Sequence, residues 1–212
     1  MMEFILARHG ETEWNVKRVF RGRRDMGLSE MGLKQAALLG RYLAEVELDA
    51  IYSSPLRRAL ETENQIAENQ PQKIEVNVTE GLLDLSYGKW EGMSEEEVKG
   101  SYGALYREWQ INPQKVKIPG GEGLADVRGR ALKVIDEAVS RYEGSVLLVS
   151  HRVVNKVLIC ALLGLDDSHF WNVKMDVGGI TTFEYNDGRF TLIKHNDTSY
   201  LREIQKRVLD DF

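Results

Sequence analysis

Along this chain short apolar runs alternate with stretches of helical period. Phe4-Ile5-Leu6-Ala7 is an apolar run that ends abruptly in Arg8-His9-Gly10, the pattern of a buried strand with polar side chains at its carboxyl end. Thr12 to Leu28 reads as a loop. Ser29 then fits an N-cap, and Leu33, Ala36, Ala37, Gly40 and Leu43 fall on one helical face. Asp49 to Ser53 is a short strand. Ser54-Pro55 opens a helix over Leu56 to about Glu68, with proline near its first turn. Ile74-Glu75-Val76-Asn77-Val78 alternates as a third strand. The order β-α-β-α-β predicts an α/β sheet.

The pattern is less regular from Gly81 to Gly121. Leu82 to Gly92 reads as a loop, and the capping box of Ser94 and Glu97 starts a short helix. Pro119-Gly120-Gly121 breaks the chain before a long helix from Gly123 to Tyr142. Ser145-Val146-Leu147-Leu148-Val149-Ser150 is the most strand-like run, apolar throughout and so expected at the centre of the sheet. His151 follows at once. Val153, Val154, Val157, Leu158, Ala161 and Leu162 form a largely buried helix that Gly164 stops. Ile180–Tyr185 and Phe190–Lys194 flank Asn186-Asp187-Gly188 as a hairpin. A short helix with Ile204 and Val208 is expected to close the chain.

Composition narrows the class. The chain has 212 residues, 42% hydrophobic and 29% charged, ordinary for a globular protein. No apolar stretch is long enough for a membrane-spanning helix. Glu3 and Arg8 interrupt the amino-terminal run too early for a signal peptide, so a cytoplasmic location without membrane partners is the expectation. The single cysteine, Cys160, excludes an internal disulfide and any multi-cysteine metal site. A net charge of −5 argues against general nucleic-acid binding. Yet Lys17, Arg18, Arg21, Arg23 and Arg24 crowd just past the opening motif. They form either a solvated basic loop or a field focused on a small anionic substrate.

The candidate chemistry sits at strand ends. Ala7-Arg8-His9 and Val149-Ser150-His151 are two strands that each end in histidine. Parallel neighbours would bring both imidazoles to one sheet edge, where ligands bind in open α/β sheets. Arg58 lies at the start of the helix after the second strand, and helix amino ends favour anions. His169 and His195 lack such context and read as structural or surface residues. Trp90, Trp109, Phe170 and Trp171 read as packing. No metal-ligand spacing or phosphate-loop pattern is present.

These motifs together resemble the histidine phosphatase superfamily, the phosphoglycerate mutase-like proteins. Arg8-His9-Gly10-Glu11-Thr12-Glu13-Trp14-Asn15 is similar to its signature, and Ser53-Ser54-Pro55-Leu56-Arg57-Arg58-Ala59-Leu60-Glu61-Thr62 to its second motif. Tyr87-Gly88-Lys89-Trp90-Glu91-Gly92, Pro119-Gly120-Gly121-Glu122 and Val149-Ser150-His151 add three more, in the family's order. The resemblance implies a three-layer α/β/α sandwich with a central, mostly parallel sheet and its site at the strands' carboxyl ends. It implies a single domain over 1–212, with 81–121 a loop and helix lid. His9 would be the nucleophile that becomes phosphohistidine, with Arg8, Arg58 and His151 around the phosphoryl oxygens and no metal or other cofactor. Asn15, Arg21, Gly22 and Arg152 would bind substrate. One departure stands out. The family's proton-donating glutamate is replaced in Leu82-Leu83-Asp84 by the shorter Asp84, with Glu80 as the nearby alternative.

The implied function is a metal-independent phosphomonoesterase for small anionic metabolites, acting as a monomer or homodimer. Phosphoryl transfer needs mainly positioning and charge stabilisation, and forked arginines match phosphate oxygens. Two alternatives remain. One is a mutase primed by 2,3-bisphosphoglycerate, although the short stretch from Asn112 to Gly121 resembles the phosphatase branch. The other is a non-catalytic phosphate-binding module. Arg21, Arg23, Arg24 and Arg152 suggest a substrate with a second acidic group, such as phosphoserine, a phosphoglycerate or a phosphorylated sugar acid. A nucleotide-like phosphate, as in ribazole phosphate, is also handled within the family.

Overall fold

In the computed structural model, which describes residues 2–204, two apolar strands lie side by side at the centre of the sheet. They are β1 (Met2–Arg8) and β4 (Ser145–Ser150), paired in parallel with Arg8 opposite Ser150. Both are buried along nearly their whole length, so both faces of the sheet are covered. Beyond β4 lie β2 (Leu48–Ser53) and β3 (Glu75–Val78), both parallel to their neighbours. Beyond β1 lie β5 (Ile180–Asn186) and β6 (Arg189–Asp197), both antiparallel. The order across the six strands is β3-β2-β4-β1-β5-β6. The expected hairpin is therefore present, and Asp187 and Gly188 at its turn have φ of 47° and 80°, the handedness a tight hairpin requires.

Strand alternation sends side chains to two layers. Ile5, Ala7, Ile51, Leu147 and Val149 pack with Leu39, Leu43, Ala59 and Ile66 of α2 (Glu30–Leu43) and α3 (Arg57–Ala67). Phe4, Leu6, Tyr52, Val146 and Leu148 pack on the other side with a larger cluster that includes α5 (Leu124–Arg141) and α6 (Arg152–Leu162). The α/β/α layering with a mostly parallel sheet is as the sequence predicts. Ser29 caps α2, its hydroxyl accepting from the Gly32 N–H at 3.1 Å.

Several elements differ from the pattern-based expectation. The loop after β1 contains a short helix, α1 (Glu13–Val16). The helix begun by the Ser94–Glu97 capping box is not short. It is α4 (Glu95–Ile111), 17 residues with a break at Tyr102 (φ −131°, ψ 32°). Gly100 and Gly103 flank the break, and only Val98, Tyr106 and Trp109 are buried, too sparse a stripe to show a helical period. β3 is an edge strand whose Val76 and Val78 are exposed, so its alternation does not mark a buried face. The helix expected at the chain's end falls, from residue 205 on, outside the described residues. Among the described residues no helix is long and apolar enough to cross a membrane.

Two motifs of the irregular segment interlock beside the sheet. The Lys89 N–H donates to the Pro119 carbonyl (2.9 Å) and the Glu122 N–H to the Ser86 carbonyl (2.9 Å). Gly88 has φ +46°, and a Cβ on Gly121 would stand 2.3 Å from the Ser86 oxygen. Backbone meets backbone here without room for a side chain.

Candidate active site

The parallel register of β1 and β4 carries His9 and His151 out of the sheet together. The His9 N–H donates to the Ser150 carbonyl (3.0 Å), and the two imidazole centroids are 5.2 Å apart. Both rings are buried. His9 Nδ1 lies 2.6 Å from the Gly10 carbonyl oxygen. A carbonyl only accepts, so Nδ1 carries the hydrogen and Nε2 the lone pair. Burial, then the guanidinium groups of Arg58, Arg8 and Arg21, hold the His9 pKa well below the ordinary histidine range. His151 is shifted in the same direction, chiefly by burial and next by Arg58.

Arg8 is fully buried and donates from Nη1 to the Met175 carbonyl at 2.8 Å. The turn that carries Met175 is braced from β6. The Asp176 N–H donates to Asn196 Oδ1 (2.8 Å), and Asn196 Nδ2 donates to the Asp176 carboxylate (2.8 Å). Arg58, in the first turn of α3, is also fully buried. Its guanidinium donates to the carbonyls of Arg24 (3.0 Å) and Gly22 (2.8 Å) and to Asp84 Oδ2 (3.2 Å). Burial lowers its pKa to about 10, so it stays cationic at neutral pH. Among the described residues, Arg58 Nε and His151 Nδ1 are buried without a hydrogen-bond partner.

Asp84 reaches the cluster despite its short side chain, and its segment is held by bonds to three backbone carbonyls. Ser150 Oγ donates to the Leu82 carbonyl (2.8 Å). Arg130 donates to the carbonyls of Gly81 (2.9 Å) and Asp84 (3.2 Å). Asp84 Oδ1 accepts from the Leu85 N–H (2.9 Å), and Oδ2 lies 3.9 Å from His151 Nδ1. Glu80, the alternative acid, is exposed.

Asn15 is buried at the third position of α1, with Oδ1 accepting from the N–H (2.9 Å) and hydroxyl (2.8 Å) of Thr12. These bonds fix which end of its amide is the donor. Arg21 and Arg152 line one pocket with Asp84, Phe20 and Tyr87, and the Arg152 guanidinium lies over the Trp171 ring at 5.4 Å. Gly22 is buried with φ +52°. Its carbonyl faces Arg58, and a Cβ there would strike Glu91. The rest of the basic cluster turns to other work. Lys17 pairs with Glu13 (3.3 Å), Arg18 with Glu95 (2.9 Å) and Arg23 with Glu122 (3.1 Å). Arg24 is exposed. Trp90 is core packing, fully buried against Phe20. His169 is on the surface beside Asp166.

Sequence reasoning missed three contributors. They are Ser54, whose hydroxyl is 2.7 Å from His151 Nε2, Arg130, which holds the Asp84 segment, and Glu122, which accepts from Arg130 and from the Ser86 N–H. Ser54 and Glu122 stood inside motifs already noted. Arg130 carried no local signal.

A buried histidine pair ringed by guanidinium groups, at the carboxyl edge of a mostly parallel sheet, defines an α/β protein built to hold an oxyanion. The model of the histidine phosphatase superfamily (branch 1) matches residues 4–198, and the chain belongs to that superfamily. It is 39% identical over 204 residues, 96% of either chain, to phosphoserine phosphatase 1 of Hydrogenobacter thermophilus. The solved structure of Bacillus stearothermophilus YhfR superposes with a TM-score of 0.89 at 33% identity, covering 95% of this chain and 100% of that one. Phosphoserine phosphatase from Entamoeba histolytica, solved in complex with 3-phosphoglyceric acid, superposes with a TM-score of 0.83 at 30% identity, over 95% and 100% of the two chains. Within the superfamily this protein is a phosphatase, a phosphoric monoester hydrolase.

Proposed function

We propose that hydrolysis proceeds through a phosphohistidine on His9. The observation that carries this reading is the His9 ring itself, buried, neutral, with Nδ1–H committed to Gly10 and Arg8 and Arg58 near enough to hold its proton off. The Nε2 lone pair attacks phosphorus, and the ester P–O bond breaks as the leaving oxygen takes the proton of Asp84. The carboxylate so formed then removes a proton from water as that water attacks the phosphohistidine. The P–N bond breaks, and phosphate leaves with Asp84 reprotonated. Arg8, Arg58, His151 and Asn15 hold the phosphoryl oxygens. Segment 81–121, which supplies Asp84 and Tyr87, covers the site within one domain over 1–212.

For the substrate, we infer a small monoester that also carries a carboxylate, of the phosphoserine or phosphoglycerate class. Arg21 and Arg152 lining the pocket beside Asp84 support it, as do the relatives named phosphoserine phosphatase. A rapid quench with phosphoserine should trap an acid-labile, base-stable phosphoryl group on the protein, and His9→Ala should lose both label and turnover. Turnover retained in His9→Ala would refute the nucleophile. Arg152→Ala should lower kcat/KM for phosphoserine roughly 10- to 100-fold, as expected when a charged hydrogen bond is lost, with a smaller effect on p-nitrophenyl phosphate. Arg24→Ala should change neither. Faster isomerisation of 3-phosphoglycerate than phosphate release, under bisphosphoglycerate priming, would instead favour the mutase reading.

A further inference from the structure

We propose that Ser54 sets the tautomer of His151, so that the two buried histidines present opposite faces to the phosphoryl group, a lone pair from His9 and an N–H from His151. This rests on the phosphohistidine reading for its purpose, though not for its geometry. Ser54 follows β2 directly, and its N–H donates to the Val149 carbonyl at 3.0 Å, extending the sheet pairing by one residue. Ser54 and His151 are both fully buried, so each hydrogen between them must be placed within the protein.

The hydrogens can be counted. A serine hydroxyl donates one hydrogen and accepts at two lone pairs. Among the described residues Ser54 Oγ has two hydrogen-bond partners, the Leu56 N–H at 3.4 Å and His151 Nε2 at 2.7 Å. The first is a donor, so Ser54 accepts there. If His151 Nε2 also donated, the hydroxyl hydrogen would point into buried protein with no acceptor. If Nε2 accepts, both groups are satisfied. His151 then carries its hydrogen on Nδ1, the atom that has no hydrogen-bond partner and lies 3.9 Å from Asp84 Oδ2. The alternative tautomer would turn a nitrogen lone pair towards a carboxylate oxygen and an incoming phosphate. The chosen one aims a donor at both. Burial and the neighbouring Arg58 keep His151 in the neutral state where this choice exists.

Ser54 is thus a positioning residue. It acts through His151, by deciding which of its nitrogens carries the hydrogen, while the placement of the ring turns Nδ1 towards Asp84. At His9 the Gly10 carbonyl, which can only accept, fixes the same Nδ1–H tautomer, but there the nitrogen left free is the Nε2 with its lone pair.

The test reads the tautomer directly. Long-range ¹H–¹⁵N correlation spectra of the ligand-free protein, labelled at its four histidines and assigned with His169→Gln and His195→Gln, should show both buried rings protonated at Nδ1. An Nε2–H tautomer at His151 in the unmodified protein would overturn the proposal. Ser54→Ala should move His151 to the Nε2–H form or a mixture, leave His9 at Nδ1–H, and lower kcat roughly 10- to 100-fold. Ser54→Thr, which keeps the hydroxyl, should restore the tautomer. A Ser54→Ala protein whose His151 keeps Nδ1–H also overturns the proposal, whatever its activity. Because the spectra need no turnover, failure of the His9 nucleophile in the trapping experiment would leave this result standing, and the reverse.

Discussion

At the scale of single residues, Asp84 shows how a short side chain can reach a buried cluster. Its carboxylate is one methylene short of glutamate, and the backbone around it is held by bonds from Arg130 and Ser150. The carboxyl end then meets Arg58 and His151. A proton donor matters most when the departing oxygen is a poor leaving group. Asp84→Asn should therefore lower kcat for phosphoserine by roughly 10²–10⁴-fold, and lower it much less for p-nitrophenyl phosphate, whose leaving group departs without a proton. Steady-state kinetics on the two substrates checks this. Equal losses on both would assign Asp84 to phosphate binding rather than to proton transfer.

At the scale of elements, the site is assembled where separate segments meet. The β1–β4 register brings the histidines together, and α3 delivers Arg58 from the side. The interlock of Gly88 with Gly121 ties the segment of Asp84 and Tyr87 to the start of α5. This interlock leaves no space, so Gly121→Ala must push backbone away from Ser86 and Gly88. It should destabilise the protein by about 1–3 kcal/mol. Gly100 is the contrast. It lies in α4, and an added Cβ meets nothing within 4 Å. Gly100→Ala should stabilise by about 0.5–1 kcal/mol through helix propensity alone. Urea unfolding of the two variants should show midpoints moving in opposite directions.

At the scale of the whole molecule, an acidic chain folds around a cationic centre. Arg8 and Arg58 are fully buried, and Arg58 is paired with Asp84. An oxyanion bound beside these guanidinium groups in the native state alone would couple its binding to folding. Phosphate or vanadate at about 100 times its Kd should add about 2.7 kcal/mol of stability, a rise of roughly 5–10 °C in Tm for a domain of this size. The buried histidines set the pH dependence. Their folded pKa values lie well below that of an unfolded histidine, about 6.5. Below that pH the unfolded chain binds protons that the native state refuses, so stability falls as pH drops from about 6.5 towards the folded values. Each ring contributes up to about 1.4 kcal/mol per pH unit in that window. Chemical denaturation of the unmodified protein and of His151→Gln across the window should show a shallower slope in the variant.

Much of this molecule is written locally. Apolar runs at Phe4–Ala7 and Val146–Val149 mark the central strands, because a short run apolar throughout suits a strand covered on both faces. The polar residues just past them singled out Arg8, His9 and His151, and the start of the helix after the second strand singled out Arg58. Helix caps at Ser29 and Ser94 were equally plain. The sparse stripe of α4 hid its length, and the exposed edge gave β3 an alternation without a buried face. What no local pattern held is which atoms meet. Ser54 bonds His151 across 97 positions, Arg58 meets Asp84 across 26, and Arg8 finds the Met175 carbonyl across 167. Sequence by itself determined which chemical groups stand at the ends of the strands, since burial and period act over a few residues. Only the tertiary structure decided which partner each of these groups meets, because contacts between positions so far apart in the chain exist only once it folds.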